Sequence, residues 1–439
     1  MTDRSIVYSV PFGRGNVEFT LPPGVTGHVA TSRTVPTIAN PLEAAAAAIK
    51  RPFGAESLRE LARGKRRICI AVTDATRACP DHLIVPPILE ELAAAGVPDE
   101  AITVLVAVGA HRASTDAEKR EKLGSEIVDR FRVVDHDASD QRNLVRVAEG
   151  PEGVPFLINR IAIEADLLMA TGRVEPHQYA GYSGGGKTVA IGCAGEEIIA
   201  YTHGPALLDL PGTRLGKLDG NPFQEAVRRV ARSARVAFVG NVVLDDDGRL
   251  VGIAYGAPEP VQDRLAAEAS AMYTVPISNQ VDIAVAGVGY PKDANLYQAS
   301  RAASYLQYAP TPVVRPGGVI IIPAACPEGA GTGAGEQRFK AAMSQPGGPG
   351  AVIARALAHG IRPGEQRAYI MARVLQDVTV IVAGADDPAQ VRAVGCVSAA
   401  SVDEALAIAK AHVGIPATAL VVPHALLTLP IVQAPAIVG

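Results

Sequence analysis

Tryptophan is absent from this 439-residue chain, and aromatic residues make up only 4% of it. Alanine and valine dominate instead, with 43 glycines and 33 prolines, a composition that suits an α/β protein with tight helix–sheet packing. Cysteine is scarce too. Cys69, Cys79, Cys193, Cys326 and Cys396 are scattered, odd in number and without CxxC spacing, which argues against a structural zinc site and a disulfide framework. There is no Lys/Arg block. With 41 basic and 45 acidic residues the formal charge is −4, which argues against a nucleic-acid partner. No apolar run reaches membrane-spanning length, and the polar start Met1-Thr2-Asp3-Arg4-Ser5 lacks a basic-then-apolar leader pattern. The expected setting is the cytoplasm, with no membrane partner.

What is present is an α/β rhythm in two rounds. Residues 5–20 alternate apolar and polar around Gly13-Arg14-Gly15 and read as a hairpin. An alanine-rich helical stretch, 41–63, breaks at Pro52-Phe53-Gly54. Buried strands are then expected at 67–73, 101–108, 131–134, 156–163 and 165–171, with helices at 86–95 and 117–122. Residues 137–156 are polar and turn-rich. A helix at 222–233, strands at 236–244 and 250–255 and a helix at 261–272 close the first round. The second restarts with a strand at 281–286 and continues through 318–322, 378–383 and 418–422, with helices between. The expectation is two α/β domains, 1–275 and 276–439, with an active-site cleft between them.

One stretch concentrates chemistry: Glu175-Pro176-His177-Gln178-Tyr179-Ala180-Gly181-Tyr182-Ser183-Gly184-Gly185-Gly186-Lys187-Thr188. Gly184, Gly185 and Gly186 allow backbone amides to approach a phosphate, and Lys187 adds a charge that can act as a nucleophile. From Gly181 to Thr188 the residues satisfy the P-loop pattern G-x-x-x-x-G-K-[ST], so a nucleotide hydrolase is the alternative reading, with Asp245 at the end of an apolar strand as its magnesium ligand. A P-loop needs a strand running directly into its first glycine and a helix opening at its lysine. Here Pro176 and further residues intervene, and Gly192 and Gly195 after the lysine make a poor helix.

Three of nine histidines occupy loop positions. His111 ends an apolar strand in Gly109-Ala110-His111-Arg112, His177 follows another strand, and His203 lies beyond the glycine stretch. Ligands bind at strand C-termini in open α/β sheets. Asp74-Ala75-Thr76-Arg77 ends a further strand, and its guanidinium can grip a carboxylate or phosphate with two bonds. In the second domain Tyr290-Pro291-Lys292-Asp293-Ala294-Asn295-Leu296-Tyr297-Gln298 leads into a helix, where the i, i+4 spacing puts Tyr297 and Arg301 on one face.

Taken together, these segments resemble the nickel-dependent lactate racemase family of 2-hydroxyacid racemases and epimerases, and they run through most of the chain in that family's order. The resemblance implies a nickel-pincer nucleotide (nickel pyridinium-3,5-bisthiocarboxylic acid mononucleotide) attached to Lys187. His203 would ligate nickel, and Asp74 with Gly184, Gly185 and Gly186 would hold the cofactor. His111 and His177 would be the acid/base pair on either side of C2. Arg77, Tyr297, Gln298 and Arg301 would bind a small 2-hydroxyacid, and enzymes of cofactor synthesis become implied partners. Two departures stand out. Arg301 replaces the lysine usual in lactate-acting members, and their second-domain tryptophan has no counterpart here. Both point to malate or a sugar acid as readily as to lactate.

Overall fold

The computed structural model describes residues 6–433; the Met1–Ser5 segment lies outside the described residues. The chain divides into two compact units. One takes in residues 34–213 and 217–272. The other takes in the residues up to Arg33, Arg214–Gly216 and those from Tyr273 onward.

A six-stranded sheet organises the first unit, in the spatial order Leu250–Gly256, Val236–Leu244, Leu167–Arg173, Ile68–Thr73, Ile102–Ala107, Arg132–Asp135. All neighbours run parallel except the first pair. The inner strands are continuous β-branched runs, Ile-Cys-Ile-Ala-Val-Thr and Ile-Thr-Val-Leu-Val-Ala, as strands covered on both faces require. Helix Asp81–Ala94 buries Ile84, Ile88 and Leu92 in a core shared with Ile70, Val104, Met169, Phe238 and Tyr255. Each such side chain contributes about 1.5–3 kcal/mol on burial.

The path through this sheet positions the site. From Ile68–Thr73 the chain steps outward through Ile102–Ala107 to Arg132–Asp135, then returns to the other side of Ile68–Thr73 with Leu167–Arg173. Ligands in parallel sheets sit beyond the strand C-termini at such a reversal. Because Leu167–Arg173, Ile68–Thr73 and Ile102–Ala107 are mutually parallel neighbours, the turns that follow them open on one edge.

The second unit repeats the plan. Its sheet order is Val397–Ala399, Thr379–Ala383, Val314–Pro323, Val281–Ala286, Ala417–Val422, Val25–Val29, all parallel. The N-terminal residues, expected in the first domain, belong here. Val25–Val29 adds to the free edge of Ala417–Val422, and the hairpin Val7–Phe12/Gly15–Thr20 delivers Tyr8, Val10 and Phe19 to this unit's core. Among the described residues no helix is long and apolar enough to cross a membrane.

Local departures from the sequence reading have physical causes. The helix expected from Pro86 starts at Asp81, so Pro86 and Pro87 lie inside it and the carbonyls of His82 and Leu83 lose their helical donors. Leu83, Ile84, Val85, Ile88 and Leu92, buried on its core face, outweigh that cost. The strand expected over 156–163 stops at Asn159, whose side-chain oxygen accepts the Ile161 N–H at 2.9 Å and caps a short helix, Arg160–Ile163. The polar stretch 137–156 contains a strand, Leu144–Glu149, paired antiparallel with Pro155–Asn159. A short helix, Gly185–Ala190, opens ahead of Lys187 and stops before Gly192, so the segment with the two glycines stays largely non-helical; tertiary contacts described below hold the helix.

Candidate active site

The turns leaving Thr73 and Ala107 meet through a hydrogen bond. His111 Nδ1 lies 2.7 Å from Asp74 Oδ2, and the carboxylate also accepts the Thr76 hydroxyl at 2.9 and 3.1 Å. The Asp74 side chain is 6% exposed and the His111 ring 48% exposed, so the carboxylate is built in while the imidazole remains reachable. Burial pushes the Asp74 carboxyl upward. The hydrogen bond and charge of His111, with Arg77 and the Thr76 hydroxyl, outweigh it and leave the group below the ordinary aspartate range. A carboxylate facing Nδ1 keeps the hydrogen on that nitrogen and leaves the lone pair of Nε2 available. The carboxylate of Asp74, the residue expected to hold cofactor, is hydrogen-bonded to His111 and Thr76.

His177 has the opposite environment. It forms part of a two-residue hairpin, Pro176–His177 with Gly181–Tyr182, and its Nδ1 accepts the backbone N–H groups of Tyr179 at 3.3 Å and Ala180 at 3.1 Å. Proton exchange at this ring is thereby directed to Nε2. The hairpin turns where it does because Gly181 has φ +75° and a Cβ there would lie 1.8 Å from the Lys217 carbonyl oxygen.

His203 closes the short helix Glu196–Thr202. Its Nδ1 donates to the Ile199 carbonyl at 3.1 Å and lies 3.0 Å from the Thr202 hydroxyl, which itself donates to Ile198 O at 2.8 Å. A backbone carbonyl on Nδ1 leaves Nε2 as a neutral ligand atom, the usual tautomer of a metal-binding histidine. Two aromatic rings bring His177 and His203 together. Phe223 lies edge-on to His203 with centroids 5.0 Å apart and 6.1 Å from His177, and Tyr179 is 5.7 Å from His203 and 5.6 Å from His177. Asn221 fixes both aromatic partners: its Nδ2 donates to Tyr179 O at 2.8 Å, and its Oδ1 accepts the Phe223 and Gln224 N–H groups to cap helix Pro222–Ser233. Phe223 and Asn221 were not singled out from sequence. The Asn-Pro helix start was visible, but nothing in it tied the cap to a loop more than forty residues upstream.

Lys187 is half-buried in the first turn of Gly185–Ala190. That helix is tied down by Gly185 N–H to Asn241 Oδ1 at 3.0 Å and by the Thr188 hydroxyl to Thr171 O at 2.7 Å. It lies so close to its neighbouring strand that a Cβ on Gly172 would stand 2.5 Å from Gly185 N. A Cβ on Gly185 would stand 3.0 Å from Asn241 Oδ1 and from Val239 Cγ1, and Gly184 has φ +147°, a conformation that side chains rarely adopt. Beyond the helix, the Gly192 carbonyl accepts the Gly109 N–H at 2.9 Å and links the Lys187 segment to the His111 loop.

The P-loop reading lacks its frame. The Leu167–Arg173 strand is separated from Gly181 by the His177 hairpin. Asp245 is occupied in a turn, accepting from Asp247 and Arg249 N–H and pairing with the Arg249 guanidinium at 2.8 Å. The cysteines are buried and their thiols pushed up by burial, Cys69 to about 12, so none is an activated nucleophile.

The residues present suit the implied nickel cofactor. Among the described residues no group of three or more His, Cys, Asp or Glu side chains is placed to hold a metal; the imidazole of His203 would suit a metal whose other donors belong to a cofactor. A pincer nucleotide carries such soft donors, and imidazole completes the set.

Tyr297, Gln298 and Arg301 lie in the second unit. Asn295 caps helix Leu296–Ala299, and Ser300 separates it from Arg301–Gln307. Arg301 bonds Gln298 Oε1 at 3.4 Å and the Tyr305 hydroxyl at 3.0 Å, while Tyr297 packs edge-on against Phe339. The expected Tyr297–Arg301 face is thus divided between different neighbours. Asp293 also has an architectural task, accepting the Gly13 N–H at the hairpin tip at 2.5 Å.

Comparison with known proteins identifies the family of the chain. The family model for the lactate racemase N-terminal domain matches residues 12–216, and that for the lactate racemase C-terminal domain matches 277–429. The chain is 34% identical to a lactate racemase of Lactiplantibacillus plantarum over 85% of this chain and 87% of that one, and 31% identical to the Thermoanaerobacterium thermosaccharolyticum enzyme with the same coverage. The solved lactate racemase apoprotein of T. thermosaccharolyticum superposes with a TM-score of 0.86 at 29% identity, covering 97% of this chain and 100% of that one. A Thermotoga maritima protein shares the fold, with a TM-score of 0.65 at 18% identity over 90% of this chain and 97% of its own. The chain belongs to the lactate racemase family of isomerases.

Proposed function

We propose that this enzyme inverts C2 of a small 2-hydroxyacid by moving the C2 hydride and the hydroxyl proton separately, with His111 and His177 as the acid/base pair. One arrangement supports the reading above the rest: three parallel strands carry Asp74, His111 and the His177–Lys187 segment to one sheet edge at a chain reversal, in a member of this family. When bound, a nickel-pincer nucleotide supplies the hydride acceptor and donor. Lys187 would tether it and His203 Nε2 would ligate the metal, with Gly184, Gly185 and Gly186 beside the tether.

The chain's own residues then handle protons and orientation. His111, its Nδ1 engaged by Asp74, takes the hydroxyl proton at Nε2 as the alcohol becomes a keto acid. His177 exchanges its proton through Nε2, because two amides occupy Nδ1. Arg77 is exposed beside the Asp74 turn, and its guanidinium can receive a substrate carboxylate with two bonds. Tyr297, Gln298 and Arg301 complete the substrate contacts in this reading. The relatives are named for lactate; the forked head of Arg301 favours an acid with a further polar group, so malate and sugar acids belong in the first assay.

The test is a panel of single-enantiomer 2-hydroxyacids on protein co-expressed with cofactor-synthesis enzymes, read by chiral chromatography. Inversion of at least one acid, with an intact-mass adduct that disappears in Lys187→Ala, is expected. A cofactor-loaded protein that inverts none of them refutes the reading.

A further inference from the structure

A buried ion pair outside the residues assigned so far lies behind the Asp74–Arg77 turn. Asp81, the first residue of its helix, is 0% exposed, and Lys122, 9% exposed, reaches its Oδ2 at 3.0 Å from helix Asp116–Leu123. Burying two charges costs more in lost hydration than it commonly returns in stability, so such a pair calls for a task. The partners show one. Lys122 Nζ also donates to the carbonyl oxygens of Arg77 and Cys79, each at 2.9 Å, which uses all three ammonium hydrogens. The Asp81 carboxylate accepts the Thr73 hydroxyl at 3.0 Å, the Thr171 hydroxyl and the Cys79 thiol at 3.7 Å. Thr171 in turn accepts Thr188 of the Lys187 helix at its carbonyl oxygen.

The knot therefore holds the end of one strand, the body of the turn that follows and the end of the neighbouring strand. Its lysine comes from the helix that follows the His111 loop. It grips Arg77 only by its backbone and leaves the guanidinium outward. We propose that Lys122 and Asp81 are positioning residues that fix the 74–79 turn, so that the Arg77 guanidinium is presented in one geometry. The catalytic half of this inference rests on the substrate role given to Arg77.

Two readouts test it. In apoprotein, hydrogen–deuterium exchange of Lys122→Met should rise at least about 10-fold in a peptide covering 74–80 and stay unchanged in the 68–73 and 102–107 strands. In cofactor-loaded enzyme, Lys122→Met should lower kcat/KM about 10–100-fold, chiefly through KM, as expected for a displaced binding group. The loss should largely vanish when Lys122→Met is added to Arg77→Ala, because both act through one contact. Should Lys122→Met not fold, Asp81→Asn/Lys122→Met, which leaves no unpaired buried ion, takes the same measurements. Unchanged exchange at 74–80, or losses that simply add in the Arg77→Ala background, overturns the proposal. Absence of turnover in the loaded wild type would instead remove the functional reading, and the exchange experiment would still decide whether the pair fixes the turn.

Discussion

Replacing Asp74 by Asn removes one charge and almost no volume, and so isolates what the carboxylate does for His111. The native contact is short, 2.7 Å, and the Asp74 side chain is 6% exposed, so little water competes for it. A hydrogen bond to a charged group contributes about 1.5–3 kcal/mol. At about 1.4 kcal/mol per factor of ten, its loss from the reacting state lowers kcat by about 10–150-fold. The neutral amide can also present N–H to His111 Nδ1, which turns the ring to the wrong tautomer and deepens the loss. Cofactor-loaded wild type and Asp74→Asn should be compared by initial rates of inversion, normalised to the adduct fraction from intact mass. Normal loading with a reduced rate per loaded molecule is expected. If loading falls and the rate per loaded molecule is unchanged, Asp74 serves the nucleotide and the orienting role is refuted.

Other parts of the account have their own tests. Gly181→Ala forces a side chain into a positive-φ position against the Lys217 carbonyl and should cost more than about 3 kcal/mol in urea denaturation; a wild-type midpoint would contradict the geometry. His136 is buried, donating through Nε2 to Ala194 O at 2.9 Å and accepting Asn159 Nδ2 at Nδ1 at 3.0 Å, and burial pushes its pKa below the usual 6.5. The unfolded chain takes up a proton there that the folded chain refuses. Stability from this group is therefore complete above 6.5 and is lost as pH falls toward the depressed folded value, by at most about 1.4 kcal/mol per pH unit. His136→Gln should flatten the stability–pH slope below 6.5; identical slopes would exclude the effect. Arg301→Lys cannot bond both Gln298 and Tyr305 in the same way and should shift the kcat/KM ratio between malate and lactate toward lactate by about 10-fold; an unmoved ratio would remove Arg301 from selectivity.

Long apolar runs made much of the fold readable. Strands Val236–Leu244 and Val281–Ala286 and helix Pro222–Ser233 fall where composition and periodicity place them, because burial on a sheet demands those side chains in sequence. The misses share another origin. Gly185–Ala190 is helical because Asn241 and Thr171 hold its ends, and Asp81 opens a helix ahead of two prolines because its carboxylate has partners on two strands and at Lys122. Those partners are distant in sequence, and local propensity contains no trace of them. The site divides in the same way. His111, His177, Lys187 and His203 stand out in the sequence by residue type and by neighbouring glycines and strand ends, while their partners do not. The Asp74–His111 bond, the ring cluster with Phe223 and the close packing of Gly185 appear only once parallel strands bring separated loops to one edge.

The separation of hydride from proton is tested most directly by following deuterium at C2. A single enantiomer of an acid accepted by the loaded enzyme, deuterated at C2, is brought to equilibrium in ordinary water and both enantiomers are examined by mass spectrometry. With hydride carried internally and His111 and His177 handling only the hydroxyl proton, both enantiomers retain the label. Washout of deuterium into solvent from the inverted product would mean that a base removes the C2 hydrogen as a proton, and the roles given to the two histidines would be wrong.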